Sequence, residues 1–239
     1  PTTDVYGHVR SVLNAAGFPP TLPIWITEMG SESGWTPAPR TEKQQAQDLV
    51  KRFLYPLALG AQKIFPAYGL MEGFIPPESY FDHTGFIYNG QHVSDLGFGT
   101  RKLSYYTYKK LTEKLEGSTW STLAKQRDGT GTDHLYQFQV MRSGVPVRVV
   151  WWDYFDEPGY VPGSSKALTL TDVSASTIYA SEAVQGVATG SQVVDYAGSF
   201  ATTAYPVAGG AVTLTLKESP MILEEVIVTA PPPPVDPQS

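Results

Sequence analysis

At 239 residues, 41% hydrophobic and 12% aromatic, the chain holds enough apolar material to fill one large core or two smaller ones. Its net charge of -6, with no cluster of Lys and Arg, argues against nucleic acid or an anionic membrane as partner, because both need concentrated cations. The absence of cysteine removes disulfides, Cys-ligated metals and thiol catalysis.

In chain order, Val5, Val9, Val12 and Leu13 recur at helical spacing ahead of Gly17, which predicts a helix over about 4–16 with a glycine C-cap. The run "PIWITEMG" predicts a strand over 23–28 with an acidic residue, Glu28, at its C-terminal end and Gly30 closing it. Thr41 and Gln44 stand at capping-box spacing before a helix over about 42–59. Leu49, Val50, Phe53, Leu54 and Leu57 share one side of that helix, and Pro56 is expected to kink its end. A strand over 62–68, a long loop over 71–98 and a helix over about 100–116 complete a β-α-β-α order, which implies parallel strands with right-handed crossovers.

Beyond about residue 120 the period changes to two. Tyr136, Phe138 and Val140 alternate with polar residues, Ser143-Gly144 turns the chain, and Val145, Val147, Val149 and Trp151 alternate again, which predicts a hairpin. "LTLTD" (168–172), "SQVVDYA" (191–197), "AVTLTLK" (211–217) and "PMILEEVIV" (220–228) extend this into an antiparallel sandwich, with Trp151 a core residue by alternation and Trp152 and Tyr154 placed to touch the helical part or a glycan. No phosphate loop, dinucleotide fingerprint, metalloprotease helix, serine elbow or EF-hand loop occurs. No apolar run reaches the roughly 18 residues a membrane span requires, and the N-terminus lacks the pattern of a signal peptide.

A carboxylate at the C-terminal end of a parallel strand lies where α/β folds place their chemistry, although it can equally pair with a nearby Arg or cap a helix. "WITEMG" resembles the seventh-strand motif of the retaining glycoside hydrolases of clan A, among them families 5, 30, 39 and 53. "AQKIFPAYGL" is similar to their eighth strand, "RKLSYYTYKKLTEKLEG" to their final helix, and the strands after 120 ending "SPMILEE" to their small C-terminal β-domain. The fold implied is α/β plus all-β: the last part of a (β/α)8 barrel over 1–118, an antiparallel β-sandwich over 119–229 and a Pro-rich tail over 230–239. The resemblance also implies a carbohydrate substrate, no cofactor, and Glu28 as the nucleophile of a double displacement. Tyr68 and Glu72, at the end of the eighth strand, fall where such enzymes hold the sugar. Trp35 and Tyr80, with Phe81 and Tyr88, offer aromatic faces to sugar C–H groups. Glu32 lies in loop sequence and ranks below Glu28.

The sequence departs from the family in lacking the Asn-Glu pair that carries its acid/base, and its barrel-like part is far shorter than the roughly 200 residues of a full barrel. The expectation is therefore the C-terminal portion of a longer or split glycosidase, extracellular or periplasmic, inactive until an N-terminal barrel half joins it from the same or a separate chain. The flank of strand 23–28 should be open. The alternative is a non-catalytic carbohydrate-binding or scaffold module. His83 and His92 share a loop without metal-ligand spacing, so no metal is expected.

Overall fold

The computed structural model describes residues 5–35, 39–67, 69–73, 78–130 and 132–226. Helix α1 (Val5–Ala15) ends as its glycine requires: Gly17 adopts φ +83°, and the Phe18 amide donates to the Leu13 carbonyl at 3.1 Å. Helix α2 (Glu42–Ala58) joins strand β1 (Trp25–Met29) to its parallel neighbour β2 (Lys63–Pro66). The capping box forms, with the Gln44 amide donating to Thr41 Oγ1 at 3.2 Å and the Thr41 amide to Gln44 Oε1 at 2.9 Å. After the long loop, helix α3 (Leu103–Leu115) packs beside α2. Among the described residues the two parallel strands do not close into a barrel. No helix there is long and apolar enough to cross a membrane.

The second part is all antiparallel. Strands β3 (Ser118–Asp128), β4 (Leu135–Arg142), β5 (Val145–Trp152), β7 (Thr177–Glu182), β8 (Thr202–Pro206) and β10 (Met221–Glu225) form a six-stranded sheet in the order β3-β4-β5-β10-β7-β8. The short sheet of β6 (Lys166–Leu170) and β9 (Val212–Leu216) lies against it. The β4/β5 hairpin turns at Ser143 and Gly144, both at positive φ (50° and 79°), as a two-residue turn of the twist-matching type demands.

The central strands of the large sheet are buried on both faces, which explains the nearly continuous apolar run of β5. Val150, Trp152, Ile178, Ala180 and Leu223 meet Leu168, Leu170, Leu214 and Leu216 of the small sheet. Phe138, Val147, Val149, Trp151 and Ile222 on the opposite face meet Leu49, Val50, Phe53 and Leu54 of α2 and Leu111 and Leu115 of α3. Trp151 is a core residue as alternation predicts, in the layer shared with the helices, whereas Trp152, expected at the contact with the helical part, lies inside the sandwich. Tyr154 also touches α2, its hydroxyl donating to Gln47 Oε1 at 3.0 Å.

Residues 191–197 are not a strand. Gly190–Gln192 form a single 3-10 turn, and the Asp195 carboxylate accepts the Ala197 amide at 3.1 Å, a local turn that competes with strand pairing. Strands β3, β7 and β8 carry no clean alternation; β3 and β8 are polar edges with mostly exposed side chains.

Candidate functional site

The site is built on the C-terminal end of β1. The β1–β2 register pairs Ile26 with Ile64 and Met29 with Pro66, so β1 carries one extra residue between these points. Strict alternation from Ile26 would turn Glu28 toward the helices. The bulge instead leaves Thr27 and Glu28 exposed, while Met29 packs with Ile64 against the core beneath the helices. Such an inserted residue is a common way to re-aim a side chain at a strand end. Trp25 and Phe65, 6.3 Å apart between ring centroids, occupy the same open side, and Lys63 lies 4.3 Å over the Trp25 ring.

The loops around this rim are fixed from below by α2. Gln45 is buried, and its amide nitrogen donates to the Ser31 carbonyl at 2.9 Å and to the Gly85 carbonyl at 3.2 Å. Its amide oxygen accepts from Ser33 Oγ at 3.0 Å and Ser104 Oγ at 3.1 Å, which ties the loop after β1 to the long loop and to α3. Glu42 accepts the Leu103 amide at 2.7 Å, the first residue of α3, and the Gly190 amide at 2.7 Å. It also accepts the Tyr88 hydroxyl at 2.9 Å, so Tyr88 is a buried structural residue rather than a groove lining.

Glu32 is buried and holds its own loop, accepting the Trp35 amide at 3.4 Å and pairing with Arg40 at 3.6 Å. Trp35 is half-buried and meets Tyr80 edge-on at 5.9 Å; Tyr80 in turn meets the exposed Phe81 at 5.5 Å. Three aromatic rings from two loops thus form one contiguous group. Tyr68 lies outside the described residues.

Glu72 turns inward. Its carboxylate pairs with Lys102 and lies 4.0 Å from His83 Nδ1. Burial pushes the Glu72 carboxyl up to about 7, against the pull of Lys102, and the same burial holds the Lys102 ammonium below the usual lysine range. This places Glu72 in the support beneath the loop rather than in contact with solvent. Gly85 makes this possible, because a Cβ there would come within 2.3 Å of the Glu72 amide nitrogen.

His83 and His92, unrelated by sequence spacing, are brought together with ring centroids 4.2 Å apart, and Glu78 reaches both. Burial holds the His83 imidazole below its ordinary range, so its ring is neutral near pH 7. Nothing in the local sequence announces this grouping except that both histidines belong to one long loop.

No protein-family model matches the sequence, and no curated protein is similar to it at a significant level. Solved structures do share its fold. A family 39 glycoside hydrolase from the gut symbiont Bacteroides cellulosilyticus WH2 superposes with TM-score 0.58 at 14% identity, covering 93% of this chain and 38% of that one. A family 30 endoxylanase from Clostridium papyrosolvens C71 gives 0.52 at 11% identity over 94% of this chain and 47% of its own. CelM2, a bifunctional glucanase-xylanase from a metagenome library, gives 0.53 at 12% identity over 92% and 34%. The chain therefore has the fold of one part of these glycoside hydrolases and spans less than half the length of each.

Proposed function

We propose that this chain supplies the C-terminal part of a retaining glycoside hydrolase, with Glu28 as the nucleophile. The observation that carries the reading is the β1 bulge, which turns a strand-end carboxylate away from the helix-packed core and onto the open side of a parallel sheet. The shared fold of part of several glycoside hydrolases supports it.

In this reading Glu28 attacks the anomeric carbon of a β-glycoside, expelling the leaving oxygen and forming a glycosyl-enzyme that water then opens with net retention. The leaving oxygen needs a proton donor roughly 5–5.5 Å from the nucleophile. Polypeptide outside this sequence supplies that second carboxyl. Trp35 and Tyr80, with Phe81 beside them, present ring faces and edges to a sugar's C–H groups. Glu72 acts from beneath, holding the long loop in place. The apolar surface of α1, with Val5, Val9 and Val12 exposed, and the Trp25–Phe65 pair are the surfaces that the rest of the barrel covers. The substrate in this reading is a polysaccharide or oligosaccharide, and a polysaccharide too large to cross a membrane would favour an extracellular or periplasmic setting.

The test is mechanism-based labelling. The purified active protein is treated with a fluorinated glycosyl inactivator, digested, and mapped by mass spectrometry. A label on Glu28 is expected; a label on any other residue overturns the assignment.

A further inference from the structure

Two buried imidazoles and one half-exposed carboxylate converge on a single point in the loop between β2 and α3. His83 ends the 3-10 turn Tyr80–His83, and His92 lies further along the same loop. Glu78 Oε1 is 2.5 Å from His83 Nε2 and 3.4 Å from His92 Nδ1, and one donor atom from each of the three residues lies within 4.8 Å of the other two.

The second nitrogen of His92 is engaged on its far side, whereas that of His83 is buried without a hydrogen-bond partner. His92 Nε2 lies 2.9 Å from the Gly73 carbonyl, to which it donates in the Nε2–H tautomer, and Nδ1 is the nitrogen that faces Glu78. The Asn89 amide, donating to the same carbonyl, braces this arrangement. His83 Nδ1 faces the Glu72 carboxylate at 4.0 Å, leaving Nε2 to face Glu78. A ligand imidazole whose other nitrogen is turned to a carbonyl or carboxylate is the usual outer-shell pattern of a metal site.

A hydrogen bond between His83 and Glu78 accounts for one of these contacts. A second imidazole nitrogen, His92 Nδ1, converges on the same carboxylate oxygen at 3.4 Å, so three potential ligand atoms share one small space.

We propose that Glu78, His83 and His92 form a binding site for a divalent transition cation of the Zn2+ class. Two imidazole nitrogens and one carboxylate oxygen suit that class and leave a fourth position for water. Metal–ligand bonds of about 2.0–2.1 Å in a tetrahedron separate the ligand atoms by about 3.3 Å. The Glu78–His92 separation already matches this. The Glu78–His83 contact must widen, and the Glu78 side chain, 49% exposed, has room to withdraw and provides the entry path. The bound ion ties the segment carrying Tyr80 and Phe81 to the segment carrying His92. The proposal does not rest on the glycosidase reading.

The test uses the purified protein after dialysis against a chelator, titrated with Zn2+ by calorimetry and with Co2+ by visible absorption. One equivalent of Zn2+ is expected to bind and raise the melting temperature, Mg2+ to have no such effect, and Co2+ to give the intense visible bands of a low-symmetry site. His92→Gln should weaken Zn2+ binding at least about tenfold. Glu78→Gln, at a side chain exposed enough not to disturb folding, should do the same and serves if the histidine variant fails to fold. Absence of saturable Zn2+ binding, or affinity unchanged in Glu78→Gln, overturns the site.

Discussion

Lys102 and Glu72 form an ion pair from which water is excluded, with no exposed surface on either side chain. The ammonium also donates to Ser33 Oγ at 3.0 Å and to the His83 carbonyl at 3.2 Å, and lies 4.7 Å over the Tyr88 ring. It therefore joins the loop after β1, the long loop and the start of α3 in one buried network. Taking both charges out of water is costly, and the pair is tolerable only while both members are present. Lys102→Met is expected to destabilise the protein by about 3–5 kcal/mol, since it strands the Glu72 carboxyl. Adding Glu72→Leu to Lys102→Met should restore most of the loss. Denaturant midpoints for the single and double variants check both.

Glu28 presents the opposite case, a charged side chain in the open. In the complete enzyme, Glu28→Gln removes the proposed nucleophile without altering packing, so turnover should fall by several orders of magnitude while unfolding free energy stays within about 0.5 kcal/mol of the parent. Steady-state kinetics and a denaturant titration on the same preparation separate the two effects. Retained activity would remove Glu28 from the mechanism.

Trp151 carries the contact between the large sheet and the helices. It stacks on Tyr136 (5.0 Å, 12°) and Phe138 (5.0 Å, 17°) and is buried in the core shared with α2 and α3. Trp151→Ala should cost about 3–5 kcal/mol. Thr41→Ala, which removes only a helix cap, should cost about 1 kcal/mol. Thermal and urea unfolding of the two variants give the ranking, and an equal loss in both would contradict it.

Lys110 gives a pH dependence with a defined sign. Burial, helped by the charge of Lys114, lowers it from 10.5 to about 8, with its ammonium donating to the Glu182 carbonyl at 3.0 Å over the Phe200 ring. Between pH 8 and 10.5 the unfolded chain holds this proton while the folded chain has released it. Stability contributed by this group therefore rises with pH through that window, and the full penalty applies below it. Lys110→Met removes the slope, so its stability relative to the parent should be highest below pH 8 and decline toward pH 10.5. Denaturant titrations across that range test the trend.

Much of the scaffold was legible because it is encoded locally. Helical spacing with Gly17 as stop and Thr41–Gln44 as start located α1 and α2, and the period-two pattern around Ser143-Gly144 located the β4/β5 hairpin. A strand-end Glu28 could be read from "WITEMG" alone. Its direction could not, because the bulge exists only in the pairing of β1 with β2.

What only the tertiary structure decided is which face each side chain serves and what meets it there. Trp151 and Trp152 both read as strand residues, but a sheet covered on both faces assigns them to different cores. Lys102 finds Glu72, and His83 finds His92, across stretches of loop with no periodicity to follow. Local sequence sets backbone preference through sterics and capping. Contacts between residues far apart in the chain depend on how the whole chain packs, and they determine where charge is buried and which carboxylate stays exposed.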